Sequence, residues 1–196
     1  IRGIVGFNVA PLDNCRYHRG TEGDVYCESL IDSAIAEQLD SAFHDMGFRL
    51  HTTSAFEALQ WAKLQLNLNN AINAVSNLPL KQELETRGYR TILSLAMSEL
   101  IEVTKQEQLK LPKLTKLPAG WIPLLLRAPD SWFKKLASSM LAIDPQARSS
   151  MWEDLNNQRA TEIDYINGAV VRAAQALGLQ APANLTLVEL IKDIEE

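Results

Sequence analysis

The stretch W-A-K-L-Q-L-N-L-N-N-A-I-N-A-V-S-N, residues 61–77, decides how the rest of the chain is read. Its apolar residues Leu64, Leu68, Ala71, Ile72 and Val75 recur at helical spacing, so the stretch reads as one amphipathic helix. Beside that stripe stands a second row, Lys63, Asn67 and Asn70, at i, i+4 and i+7. At about 100° per residue those three side chains fall within an arc of roughly 60°. Two readings stand side by side. A lone cation aligned with two carboxamides makes the polar wall of a pocket; the same residues also make a solvated helix face built from poor helix formers.

Upstream, residues 1–10 (I-R-G-I-V-G-F-N-V-A) are apolar and β-branched and predict a strand. Residues 13–23 are turn-rich, and residues 24–27 predict a short second strand. Residues 29–46 have helical periodicity through Leu30, Ile31, Ile35, Leu39 and Phe43, with Gly47 as the cap and a third strand at 48–52. The first 53 residues thus read as a small βαβ-like unit of an open parallel sheet. Residues 54–196 read as helical throughout. Pro79 ends the opening helix, Gly88 ends a short one, and residues 89–105 form a long one with Ile92, Leu93, Ala96, Leu100 and Val103 on its apolar side. A proline-bearing loop at 109–120 and short helices at 121–127 and 130–140 follow. Ser150 and Glu153 match a capping box, Thr161 can cap a helix over 162–177, and Asn184 or Thr186 starts the last helix.

Composition bounds the function. The chain has 196 residues, 46% hydrophobic and 22% charged, enough for a sizeable core. A net charge of −5 with no basic stripe argues against nucleic acid as a partner. No apolar run approaches about 18 residues, so no membrane-spanning helix is expected. Cys15 and Cys27 sit in a polar loop region and give no disulfide framework, which makes a reduced, cytoplasmic setting the default. With His18 between them they still lack zinc-ligand spacing, so no metal is expected. Neither a G-x-G-x-x-G nor a Walker A pattern occurs. The chain opens without Met in what reads as mid-strand, and the expectation is a piece of a longer protein. Such a piece would leave a sheet edge open to self-association, and a homodimer is a candidate assembly.

Three groups of residues carry candidate chemistry. A lysine shielded from water loses part of its preference for the charged form, so Lys63 is a candidate proton donor beside Asn67 and Asn70. Glu162, in T-E-I-D-Y-I-N-G, lies at the edge of an apolar face; a carboxylate there also serves as a plain helix-dipole partner. Asn167, next to Gly168, points to tight helix packing. Ser150 reads as a helix cap, and a helix N-terminus also suits a carboxylate ligand. No His with an acidic partner is in place to make it a triad nucleophile.

Taken together, W-A-K-L-Q-L-N-L-N-N-A-I-N, R-S-S-M-W-E-D-L and R-A-T-E-I-D-Y-I-N-G resemble the C-terminal half of ketopantoate reductases (2-dehydropantoate 2-reductases). Their order and spacing match, including the twelve residues from Ser150 to Glu162, and A-P-A-N-L-T-L-V-E-L-I resembles that family's closing segment. The resemblance implies a mainly α chain with a small α/β part. Residues 1–53 would be the last strands and helix of a Rossmann-type NADP-binding domain. Residues 54–196 would be an all-helical, 6-phosphogluconate-dehydrogenase-like substrate domain.

The activity it implies is NADPH-dependent reduction of 2-dehydropantoate to (R)-pantoate, toward pantothenate and coenzyme A. By position, Lys63 resembles the general acid. Glu162 resembles the acid that holds the lysine–substrate arrangement at the cofactor side, and Asn67, Asn70 and Ser150 resemble substrate-binding residues. A further substrate asparagine, found just after the helical proline in some members, is Leu80 here. The family's glycine-rich NADP loop has no counterpart in these residues. The fragment alone is therefore expected to be inactive and to bind no NADPH. A related 2-oxo acid reductase and a non-catalytic helical dimerisation module are the alternatives.

Overall fold

The structure, a computed structural model, describes residues 1–7, 9–12, 16–19, 23–29, 33–137, 141 and 144–196. It divides into two compact units, Ile1–Gln60 and Trp61–Glu196.

In the first unit, β1 (Gly3–Val5), β4 (Val25–Glu28) and β5 (Leu50–Thr53) form a sheet in the order β1-β4-β5. β1 runs antiparallel to β4, and β4 runs parallel to β5. Parallel neighbours need a crossover, and α1 (Ser33–Asp45) supplies it. The β-α-β unit expected from the sequence is therefore present. The single strand expected over 1–10 is instead two, β1 and a second piece that begins at Val9, with a bend at Phe7 after β1. Gly6 donates its N–H to Asp24 O at 2.8 Å, and a Cβ there would lie 2.7 Å from the same oxygen. The second piece, β2 (Val9–Leu12), pairs antiparallel with β3 (Arg16–Arg19), a strand inside the segment expected to be all turn. Cys27 is buried on β4 rather than in a loop. Cys15, and Leu30 and Ile31 of the expected helix, lie outside the described residues. Gly47 has φ +79, the left-handed geometry that lets the chain leave α1. Ile35 and Leu39, expected on a buried stripe, are 51% and 38% exposed.

The second unit is built around α5 (Arg87–Gln106). Leu93, Ala96, Met97, Leu100 and Val103 recur every three or four residues, and all are buried. Full burial of such side chains contributes about 1.5–3 kcal/mol each, so this stripe fixes which face of α5 turns inward. Against it pack α3 (Asn69–Ser76), α4 (Leu80–Glu85), α6 (Ile122–Leu126), α9 (Asn167–Ala176) and α10 (Pro182–Glu195). Two further short helices, α7 (Asp130–Leu136) and α8 (Ser150–Asn156), lie against α6 and α3 respectively.

Several boundaries differ from the sequence reading. Residues 61–77 are not one helix: α2 (Phe56–Asn67) and α3 are separated at Leu68, which keeps right-handed helical angles (φ −56, ψ −22) and is wholly buried. Gly88 does not end a helix. The break falls at Thr86, whose extended backbone (ψ 112) separates α4 from α5. Ile92 is exposed rather than part of the stripe. The helix expected over 162–177 is a 3-10 turn, Ile163–Tyr165, followed by α9. Thr161 does serve near its start, accepting from Ile163 N–H at 3.2 Å. The last helix starts two residues before Asn184, at Pro182. A carboxylate from another helix caps it: Glu99 on α5 accepts the Ala183 and Asn184 N–H groups at 2.8 and 3.0 Å. No helix of the described residues is long and apolar enough to cross a membrane.

Candidate functional site

Lys63 and Asn67 lie on α2, one turn apart, and Asn70 follows on α3 across the Leu68 interruption. All three are half-buried. Burial alone holds the Lys63 ammonium below the ordinary lysine range. Among the described residues no carboxylate pairs with it to reverse that effect.

Ser150 is exposed and is the first residue of α8, not its cap. The cap is Ser149, whose Oγ accepts from Trp152 N–H at 3.1 Å; the third helical residue from this cap is Trp152, so the expected Ser150–Glu153 capping box does not form. That frees the Ser150 hydroxyl from the helix. The same Ser149 Oγ donates to the Asn70 carbonyl at 3.1 Å, and the Ser149 N–H donates to Asn73 Oδ1 at 2.8 Å. Two further contacts hold this corner. Trp152 Nε1 donates to Asn77 Oδ1 at 2.7 Å, and Leu80 N–H donates to the Ala147 carbonyl at 2.9 Å. The Asn73 and Asn77 side chains and the Asn70 carbonyl thus bond to α8 and its cap, and it is Ser149, the neighbour of Ser150, that makes the contact with Asn70.

Glu162 is exposed at the head of the 3-10 turn, where its carbonyl accepts from Tyr165 N–H at 2.9 Å. No hydrogen bond or ion pair joins its carboxylate to Lys63 among the described residues. Asn167 is wholly buried and donates to Asn184 Oδ1 at 3.0 Å, the packing role expected of it.

Sequence reading missed Asn73 and Glu83. Glu83, on α4, is 1% exposed, and its Oε2 accepts from Asn73 Nδ2 at 2.7 Å. Burial pushes its carboxyl up to about 7, against the opposing pull of hydrogen bonds from Asn73 and Asn69. One signal was available: five asparagines between positions 67 and 77, a residue that disfavours helix interiors unless its amide has a task.

The two parts of the chain, a β-α-β unit and a helical unit centred on one long helix, match the architecture of solved nicotinamide-linked reductases. A PanE/ApbA family ketopantoate reductase from Ralstonia eutropha JMP134 superposes with a TM-score of 0.76 at 26% identity, over 98% of this chain and 58% of that one. A D-mandelate dehydrogenase, solved with NADH and anilino(oxo)acetate, shares the fold (TM-score 0.74, 20% identity, 97% of this chain, 58% of that one). Among curated relatives, 2-dehydropantoate 2-reductase of Pyrobaculum aerophilum is 29% identical over 92% of this chain and 57% of its own length. The enzyme of the same name from Pyrococcus abyssi is 30% identical over 81% of this chain and 47% of its own. The family model for the ketopantoate reductase PanE/ApbA C terminal matches residues 55–195, and the chain belongs to that family. It spans about half the length of the curated relatives it matches.

Proposed function

We propose that this chain is the substrate-binding portion of an NADPH-dependent 2-dehydropantoate 2-reductase, which reduces the 2-keto group to the alcohol of (R)-pantoate. One observation carries the reading. In a chain of this family, the only cation in the Lys63–Asn67–Asn70 row is half-buried and held below the ordinary lysine range. Hydride delivery to a ketone leaves negative charge on oxygen, and a nearby ammonium stabilises that charge and then gives up its proton. Lys63 Nζ is that donor. Asn67 and Asn70 orient the 2-oxo acid by their carboxamides, and the Ser150 hydroxyl, released from capping, binds its carboxylate. Glu162, which makes no bond to Lys63 among the described residues, is proposed to engage the substrate hydroxyl at the cofactor side and to hold the lysine–substrate arrangement only when substrate and cofactor are both bound.

The reduced nicotinamide supplies the hydride when bound. The 196 residues contain no glycine-rich phosphate motif, so they do not by themselves make a dinucleotide site. Residues 1–53 are proposed to be the last part of a Rossmann-type domain and residues 54–196 the helical domain. Two observations support this: the parallel β4-α1-β5 crossover, and the bare Ile35 and Leu39 on α1, which further layers would cover. A reduced, cytoplasmic setting is proposed from the buried free thiol of Cys27. A homodimer is proposed from the apolar residues Leu95 on α5, Trp121 just before α6, Leu124 on α6, and Trp132 and Leu136 on α7, left 44–67% exposed.

The test is oxidation of NADPH with 2-dehydropantoate by the full-length protein, with Lys63→Ala in parallel. Turnover with 2-dehydropantoate that survives Lys63→Ala sinks the assignment of Lys63; no turnover with it sinks the substrate. The second reading is reduction of a different 2-oxo acid. Leu80 in place of an asparagine and the shared fold with a D-mandelate dehydrogenase favour it. A panel of 2-oxo acids, assayed with NADPH and NADH, separates the two.

A further inference from the structure

Glu83 is a buried carboxylate that the proposed chemistry leaves unused. Asn73, which is 0% exposed and fully engaged, links it to the candidate site. Asn73 Nδ2 donates to Glu83 Oε2 at 2.7 Å and to the Leu78 carbonyl at 2.9 Å, while Oδ1 accepts from Ser149 N–H at 2.8 Å. This pattern allows one orientation of the amide. Turned over, its NH2 group would face the Ser149 N–H, and its oxygen would face two acceptors. Leu78 alone is a single neutral acceptor; Glu83 doubles the bias and, in its ionised form, strengthens it by charge. Downstream of Asn73, the Ser149 backbone is the residue next to Ser150, and the Ser149 hydroxyl touches the Asn70 carbonyl.

We propose that Glu83 is a positioning residue for the substrate site: by fixing the Asn73 amide it sets the Ser149 backbone, and so the place of the Ser150 hydroxyl. The proposal rests on the reading of Ser150 and Asn70 as substrate-binding residues. A carboxylate is an uneconomical way to fill space in a core, since apolar residues of similar volume serve packing as well or better. Its geometry here suits a different task, which is to choose between two orientations of one amide.

The experiment uses the full-length protein with Glu83→Leu and Glu83→Gln, read by steady-state kinetics and by amide hydrogen exchange at Ser149. Glu83→Gln keeps an oxygen that accepts from Asn73. It is expected to hold KM for the 2-oxo acid within about twofold of wild type, as the retained hydrogen bond implies. Glu83→Leu removes the acceptor. KM for the 2-oxo acid is then expected to rise about tenfold and Ser149 exchange to quicken by a similar factor, the size of one lost buried hydrogen bond. KM for NADPH is expected to stay unchanged and kcat to fall by less than about threefold, because the contact binds substrate and transition state alike. If Glu83→Leu does not fold, Glu83→Met carries the same expectation with a more adaptable side chain.

An unmoved KM for the 2-oxo acid, a parallel rise in both KM values, or equal damage by Gln and Leu overturns the proposal. Wild-type protein that turns over no 2-oxo acid overturns the substrate reading, and this proposal with it. Turnover with KM and Ser149 exchange indifferent to Glu83 overturns this proposal alone.

Discussion

At the scale of single residues, two side chains carry opposite consequences of the same burial. Lys63 must be protonated to act as an acid, and desolvation lowers its affinity for the proton. The expected pH profile of kcat/KM is therefore flat on the acid side of an alkaline limb that lies below the ordinary lysine value. Lys63→Ala should remove that limb and lower kcat by about 10²–10⁴, the usual worth of a positioned general acid. A limb that persists in Lys63→Ala assigns the proton to another group. Glu83 behaves the other way. Its folded pKa is raised from 4.5 to about 7, so between these values the folded chain binds a proton that the unfolded chain has lost. Stability is complete below pH 4.5 and falls as pH rises through 7. At about 1.4 kcal/mol per pH unit the loss is about 3 kcal/mol. Glu83→Gln has no such proton, so its stability in urea relative to wild type should increase by up to about this amount between pH 5 and pH 8. A constant difference across that range would refute the raised value.

At the scale of elements, the α3–α8 junction separates two adjacent serines that sequence spacing treats alike. Ser149 caps α8 and is 5% exposed; Ser150 is exposed and makes no side-chain hydrogen bond among the described residues. Ser149→Ala should cost about 1 kcal/mol in unfolding free energy, as lost caps do. Ser150→Ala should leave stability unchanged and instead raise KM for the 2-oxo acid. The reverse pattern would place the cap back at Ser150. Element existence was legible in the sequence because the apolar repeat of α5 and the crossover of α1 are long-period signals. The one-residue displacement of the cap was not, since the S-x-x-E pattern points to Ser150 while the cap is set by which serine takes the extended backbone, and that is Ser149. The interruption at Leu68 was hidden for a similar reason: its backbone stays helical, so the apolar spacing runs through it. Lys63, Asn67 and Asn70 were recoverable because they share a face. Glu83 was not, because its partner Asn73 lies ten residues away and the contact is made by a turn at Pro79 that periodicity cannot measure. Glu99, which caps α10 from 84 residues upstream, is beyond any local pattern.

At the scale of the whole molecule, apolar burial is divided unevenly between the two units. Among those residues of 1–60 whose side chains are described, the buried apolar ones are Cys27, Phe56, Ala58 and Leu59, and three of these four belong to α2. The main core cluster begins at Leu68 and runs through α5, α9 and α10 to Ile191. Ordering each backbone residue costs about 1–2 kcal/mol, and an exposed Ile35 or Leu39 returns little against it. The sheet and α1 should therefore open far below the free energy of global unfolding, while α5 should open only with it. Hydrogen exchange on the 196-residue chain tests this. Amides of β1, β5 and α1 are expected to exchange within about a minute at neutral pH, and those of α5 and α9 to persist for hours. In the full-length protein, further Rossmann layers are proposed to cover Ile35 and Leu39, and protection of α1 should rise by at least about tenfold, the effect of burying one large apolar side chain. Equal exchange of α1 in the two proteins would show that nothing packs on its bare face, and residues 1–53 would then not be the last part of a larger nucleotide-binding sheet.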